Sequence, residues 1–182
     1  MDFQQLILQR QSVRRYDKNR LIEKEKIMRI LEAGRLAPSA SNSQPWTFVV
    51  VDEPELVEQV SRATFSKLIA FNKFVINAPL HIVLVVEKPK MITQIGGSIK
   101  KKEYPLIDIG IAAEHMCLQA EEDGIGSCML GWFDEKKIKE LLQIPKSKTI
   151  GLVIPFGYPV ENYPLRKKIR KSMDKVAKWN KY

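Results

Sequence analysis

Arg10, Ser12 and Arg14 alternate along the stretch RQSVRRY. In an extended turn alternate side chains point the same way, so two guanidinium groups and a hydroxyl would face one spot. That set suits a phosphate, which arginine grips through paired, charge-assisted hydrogen bonds. A second concentration of hydrogen-bonding groups lies in LAPSASNSQPWTFVVV, residues 36–51, where Ser39, Ser41, Asn42, Ser43 and Gln44 crowd between a proline and a β-rich run. Taken alone, each stretch also reads as punctuation: a solvated basic turn, and a polar connection from helix to strand.

Most other chemistry is excluded by what is missing. His81 and His115 are the only histidines, and there is no CxxC or HExxH, which argues against a metal site. His115 falls in an apolar helical stretch and reads as a core or interface residue. Cys117 follows Glu114 by one helical turn, an acid that disfavours a thiolate, and has no basic neighbour to activate it. No GxSxG, Walker loop or GxGxxG after a strand occurs. An enzyme this poor in nucleophiles and general bases needs a cofactor to carry the reaction.

The 182 residues suit one domain, 1–182, with a real core. The most apolar stretch, FVINAPLHIVLVV, is broken by Asn77, Pro79 and His81, so no membrane span is expected. The N-terminus lacks the pattern of a signal peptide, and two cysteines, Cys117 and Cys128, fit most simply reduced thiols in the cytoplasm, with one disulfide as the alternative. The formal charge is +9, and its location matters more than its size. From Arg166 onward eight Lys/Arg stand against Asp174 alone, so +7 sits in the C-terminal tail. A nucleic-acid surface would spread its charge along one face and interleave aromatics. A tail like this is a solvated end, or meets a phosphate.

The elements that must position these groups follow from periodicity. Helices are expected at 2–10, at 22–36 with Glu23 and Glu25 in its first turn, and from DEPE, capped by Asp52, to about Leu68. Pro38 stops the second of these. Strands are expected at 46–52 and at 80–87, the latter apolar on both faces and therefore central. Residues 88–104 read as a loop or short helix that could form a lid. LIDIGIAAEHMCLQAEE (106–122) is apolar almost all round and closed by Gly124, a buried central helix. GSCMLGWF reads as a strand or extended loop, Asp134 as the cap of a helix stopped by Pro145, 149–159 as a third core strand, and 172–179 as a short helix capped by Ser172. Helices separate the strands, which gives an α+β or mixed-sheet α/β fold.

In this order RQSVRRY, LAPSASNSQPWTFVVV, LIDIGIAAEHMCLQAEEDGIGSCMLGWF, TIGLVIPFGYP and KIRKSMDKV resemble the nitroreductase family of flavoproteins. The P-S-x-x-N-x-Q-P-W element after an R-x-S-x-R element is the most specific part. The resemblance implies an α+β fold with a central mixed, mostly antiparallel sheet flanked by helices. It also implies an obligate homodimer holding two FMN molecules at its interface, the C-terminal segment of each chain reaching across its partner. In the family the first Arg of R-x-S-x-R and a late K-x-R hold the FMN phosphate, here Arg10 and Lys168/Arg170. Ser12 falls at the ribityl phosphate region. Arg14 falls at flavin N1 and the C2 carbonyl, where a cation stabilises the reduced ring. Gln11 stands where many relatives carry a basic residue, which leaves a polar contact there.

From the second subunit the resemblance brings Pro38, Ser39, Ala40 and Asn42 to the flavin. Ala40 holds a place often taken by Ser and offers only its backbone, while Gln44 braces the loop. Leu130 and Gly131 are candidates for the backbone donor to flavin N5, with Met129 and Trp132 flanking. Other relatives place a Lys or Asn near the pyrimidine ring. Lys73 and Asn72 lie close to that place but in a different spacing, with Phe74 where the Lys would be. The implied activity is an FMN-dependent oxidoreductase: NAD(P)H passes hydride to flavin N5, and a nitroaromatic, quinone or similar acceptor is then reduced in the same slot, by a ping-pong cycle. Other chemistries on the same fold are flavin cleavage, dehalogenation and dehydrogenation. A basic nucleic-acid-binding protein would explain the tail and Lys100–Lys102 but leave PSASNSQPW and Arg10/Ser12/Arg14 without a role, so no nucleic-acid or membrane partner is expected.

Overall fold

A computed structural model describes residues 1–66, 70–88 and 102–182. The alternation of LHIVLVV produces strand β2 (Leu80–Val86), whose two faces are both buried. β2 lies between β1 (Trp46–Val51) and β4 (Thr149–Gly157), and the two-residue strand β3 (Gly126–Ser127) closes the far edge of β4, giving the order β1-β2-β4-β3. Every pair of named strands is antiparallel, with Val49 opposite Val83 and Ile82 opposite Ile154. Among the described residues the one parallel element is an isolated bridge from Ser12 to Ser127. The sheet is thus mostly antiparallel, and the stretch GSCMLGWF contributes only its first two residues as strand.

Period two sends Leu80, Ile82 and Leu84 to one side of β2 and His81, Val83 and Val85 to the other. The first side is covered by helices α2 (Lys24–Arg35) and α4 (Tyr104–Glu122). α4 carries Ile109, Ala113, Met116, Cys117 and Ala120 into that core, and its small residues let it lie close to the sheet. The other side is covered by α3 (Pro54–Arg62), α5 (Glu135–Leu141) and the 3-10 turn Lys73–Asn77. Helix α1 (Phe3–Gln9), capped by Asp2, lies at the edge against α4, and α6 (Met173–Val176) is an exposed turn of the tail.

Several ends differ from the periodicity. α3 begins at Pro54 with Glu53 as its N-cap, not with Asp52, because a proline suits the first helical position, where its missing N–H is not needed. It stops at Arg62 instead of running to Leu68, and the Thr64 hydroxyl donates to Ser61 O just beyond its end. The expected helix at 172–179 is four residues long, and Ser172 makes no side-chain cap bond. Asp134 does cap α5, accepting from Lys137 N at 2.9 Å. α4 ends where the chain turns with a positive φ at Gly124. The lid reading of 88–104 falls mainly outside the described residues; Tyr104 already belongs to α4.

Candidate functional site

Residues 10–17 leave α1 and run along the edge of the sheet. Val13 N–H donates to Ser127 O at 2.9 Å, and Val13 itself is buried. After β4 the chain returns along this segment. Asp17 N–H donates to Tyr158 O (2.8 Å), Val160 N–H to Arg15 O (3.2 Å) and Arg14 N–H to the Tyr163 hydroxyl (3.0 Å). Gln11 closes the track: its Nε2 donates to Pro164 O and its Oε1 accepts from Arg166 N, both at 3.1 Å. The Arg166 guanidinium donates to Ser12 O, and Lys168 Nζ donates to Arg10 O.

This lacing brings residues more than 150 positions apart to a single cleft of about 420 Å³, lined by Arg10, Ser12, Arg14, Lys168 and Arg170 together with Gln11 and Arg166. The Arg10 Nε is ion-paired with Glu114 of α4 at 3.1 Å. Burial, with Arg10 and Arg170 beside it, pushes the Lys168 ammonium below its ordinary pKa. Glu121 is raised, chiefly by burial, with Arg10 and Lys168 pulling the other way. The cleft therefore carries more positive charge than its own carboxylates balance, and an anion placed there relieves it.

The Pro38–Asn42 segment is not part of that cleft; it rests on α4. Ala40–Asn42 form a 3-10 turn, and the Ala40 N–H donates to both carboxylate oxygens of Asp108 at 3.2 Å. Ser39 Oγ accepts from Gln44 N (2.9 Å), and Gln44 Nε2 donates to Asn42 Oδ1 (3.0 Å), so Gln44 does brace the loop. Pro38 and Asn42 are exposed.

In the loop after β3, Leu130 and Val153 exchange both backbone hydrogen bonds, at 2.9 and 3.1 Å. The Leu130 N–H is committed to the sheet and is lost as a donor to any ligand. Met129 is half-buried and Gly131 exposed, and among the described residues the Gly131 N–H makes no backbone hydrogen bond. Lys73 is exposed on its turn; Phe74, not Lys73, lies under Arg14, with the guanidinium carbon 6.0 Å from the ring centroid. Asn72 is buried and spends its amide N–H groups on Thr64 O (3.2 Å) and Trp132 O (3.1 Å), tying two loops together.

Both cysteines are free and buried. Burial, rather than the neighbouring Glu114, is the main reason the Cys117 thiol is pushed up to about 12, which makes it inert. Among the described residues no cluster of His, Cys, Asp and Glu could hold a metal ion, and no helix is long and apolar enough to cross a membrane.

A sequence model of the nitroreductase family matches residues 7–158. The chain belongs to the nitroreductase family. A protein of Archaeoglobus fulgidus, provisionally named as an NADH dehydrogenase/NAD(P)H nitroreductase, is 35% identical over 162 residues, covering 85% of this chain and 83% of its own. The crystal structure of a nitroreductase family protein from Clostridium novyi superposes with a TM-score of 0.78 at 34% identity, covering 88% of this chain and 87% of the other. An FMN-dependent nitroreductase from Clostridium difficile gives a TM-score of 0.76 at 31% identity, covering 97% and 98%. The α+β nitroreductase fold expected from the motifs is the fold observed.

Three residues around the cleft and the Pro38–Asn42 turn were not singled out as site candidates by sequence reasoning: Asp108, Glu114 and Arg166. Arg166 continues the alternation that marks Lys168 and Arg170, which was a usable signal. Asp108 was visible as an acid inside an apolar helix. Glu114 had no signal, since its partner Arg10 lies 104 positions away.

A close approach supports the cleft from behind. A Cβ on Gly126 would stand 2.6 Å from Val13 Cγ2 and 2.8 Å from Val13 Cβ. Gly126→Ala should therefore displace the strand that carries Ser12 and Arg14, lower stability by about 1–3 kcal/mol and cost several degrees in Tm. Thermal unfolding measures this; a Tm equal to that of the parent protein would refute the packing constraint.

Proposed function

We propose that this chain is an FMN-dependent NAD(P)H oxidoreductase that reduces nitroaromatic, quinone or similar acceptors by a ping-pong cycle. The observation that carries the reading is the convergence of Arg10, Ser12, Arg14, Lys168 and Arg170 on one cleft with uncompensated positive charge. That donor set fits a phosphate monoester: forked guanidiniums, a hydroxyl and an ammonium. The Clostridium difficile relative, named FMN-dependent, and the family match support the cofactor.

When bound, FMN supplies hydride transfer at N5, taking from the nicotinamide and giving to the acceptor in turn. Arg10, Lys168 and Arg170 grip the phosphate, with Ser12 beside them. Arg14, backed by Phe74, places a fixed cation at the N1 and C2 carbonyl edge, where negative charge gathers on reduction. The Gly131 N–H is the donor assigned to N5, because the Leu130 N–H is held by Val153. Met129 flanks that contact, and Lys73 is left out of the set. Pro38, Ser39, Ala40 and Asn42 are assigned to the flavin of a second copy of the chain. A homodimer is further supported by the tail, where Ile169 is 88% and Trp179 90% exposed and would be covered by a partner. Free cysteines fit a reducing compartment such as the cytoplasm.

The purified protein should be yellow, or turn so on adding FMN, should run as a dimer on size exclusion, and should oxidise NADH or NADPH only when an acceptor is present or oxygen substitutes for it. A colourless protein that takes up no FMN would overturn the assignment.

A further inference from the structure

Asp108 is 3% exposed and is the one buried carboxylate among the described residues. A buried charge needs hydrogen bonds to persist. Asp108 obtains its bonds from the Ala40 N–H, which lies 3.2 Å from each of its oxygens. Burial pushes the carboxyl pKa up, and the Ala40 N–H pulls it back down.

What it holds is an unusual loop. Ser41, Asn42 and Gln44 all have positive φ, at 51°, 50° and 46°, in a region that residues other than glycine seldom enter. Such a backbone persists only where its surroundings over-determine it. The bonds from Gln44 N to Ser39 Oγ and from Gln44 Nε2 to Asn42 Oδ1 lie within the loop. They fix its shape. The bond to Asp108 fastens the loop to α4, the helix that also holds Arg10 through Glu114 six residues further on. Six residues of helix span about 9 Å, so one rigid element serves both groups of site residues.

We propose that Asp108 is a positioning residue: its carboxylate sets where the Ser39–Asn42 turn stands on α4, and through that turn it governs how tightly the cofactor is held. This deepens the flavin reading given above and rests on it for the second half. An acceptor is needed at this point, whereas the negative charge strengthens the bond without being indispensable. Asp108→Asn keeps an acceptor oxygen in place; Asp108→Ala removes it.

Two measurements on the full-length protein test this. Amide hydrogen exchange over residues 39–44, read by mass spectrometry without added cofactor, should speed up at least about tenfold in Asp108→Ala and stay within about threefold of the parent in Asp108→Asn. FMN titration should show the same order: a Kd raised about tenfold or more by Ala and largely restored by Asn. Unchanged exchange in the alanine variant, or equal effects of Ala and Asn, would overturn the positioning role. Faster exchange with unaltered FMN affinity would overturn its link to the cofactor. A parent protein that binds no FMN strikes the flavin reading instead, and the exchange measurement still decides whether Asp108 places the loop.

Discussion

Arg10→Ala combined with Arg170→Ala should weaken FMN binding by about 10²–10⁴-fold. A hydrogen bond to a charged group contributes about 1.5–3 kcal/mol, and the pair removes two such partners from one dianion, about 3–6 kcal/mol in all. The lower end of the range is favoured for two reasons. Arg10 must share its guanidinium with Glu114, and Lys168 remains to attract the phosphate. The loss should appear as faster cofactor release, with the far-UV spectrum unchanged, since neither arginine belongs to the core. Single substitutions should each account for a smaller share, and added salt should narrow the difference between parent and variant as the phosphate grip is screened. Isothermal titration of apoprotein with FMN measures it. Affinity within threefold of the parent would mean that the phosphate sits elsewhere.

The second large effect concerns acid stability. His81 lies on the α3 side of β2, fully buried, with its Nε2 2.7 Å from the Ser61 hydroxyl. Burial holds its pKa down to about 4, against 6.5 for an ordinary histidine. In the unfolded chain the imidazole takes up its proton near pH 6.5; in the folded protein it stays neutral until about pH 4. Between these values the unfolded state binds more protons, so stability rises with pH and is lost as pH falls. The contribution is fully present above pH 6.5, fades through the window and is gone near pH 4, a loss of about 3 kcal/mol. His81→Leu should flatten the dependence of unfolding free energy on pH between 6.5 and 5, where carboxylates are still ionised. Urea unfolding at several pH values tests this, and an undiminished slope in the variant would assign the acid sensitivity to other groups.

The legibility of the sequence followed the range of the interactions involved. β2 was readable because six of its seven residues are apolar and fill both faces, and only a central strand covered on both sides accommodates that. α4 was readable for the same reason: Ala and Met all round can only be buried. α3 was misjudged at both ends. DEPE resembles a capping signal, yet Pro54 at the first helical position decided the start, and the Thr64 bond to Ser61 O lies just past its end at Arg62. The two-residue β3 could not be foreseen, because GSCMLGWF pairs with β4 only at Gly126 and Ser127, with one isolated bridge at Leu130.

By itself the sequence determined the family. Alternating Arg10, Ser12 and Arg14, a late K-x-R and an absence of nucleophiles are local facts, and together they resemble one family of flavoproteins. It also determined the three long strands and the buried helix, since each is specified by the period of its own residues. Only the tertiary structure decided which groups are still available. The Gln11 amide is used by Pro164 and Arg166, the Leu130 N–H by Val153, the Arg10 guanidinium by Glu114 and the Ala40 N–H by Asp108. Each of these bonds joins residues far apart in the chain. A hydrogen-bonding group carries no mark in sequence of whether it is already satisfied; that depends on which partner the folded chain brings within reach.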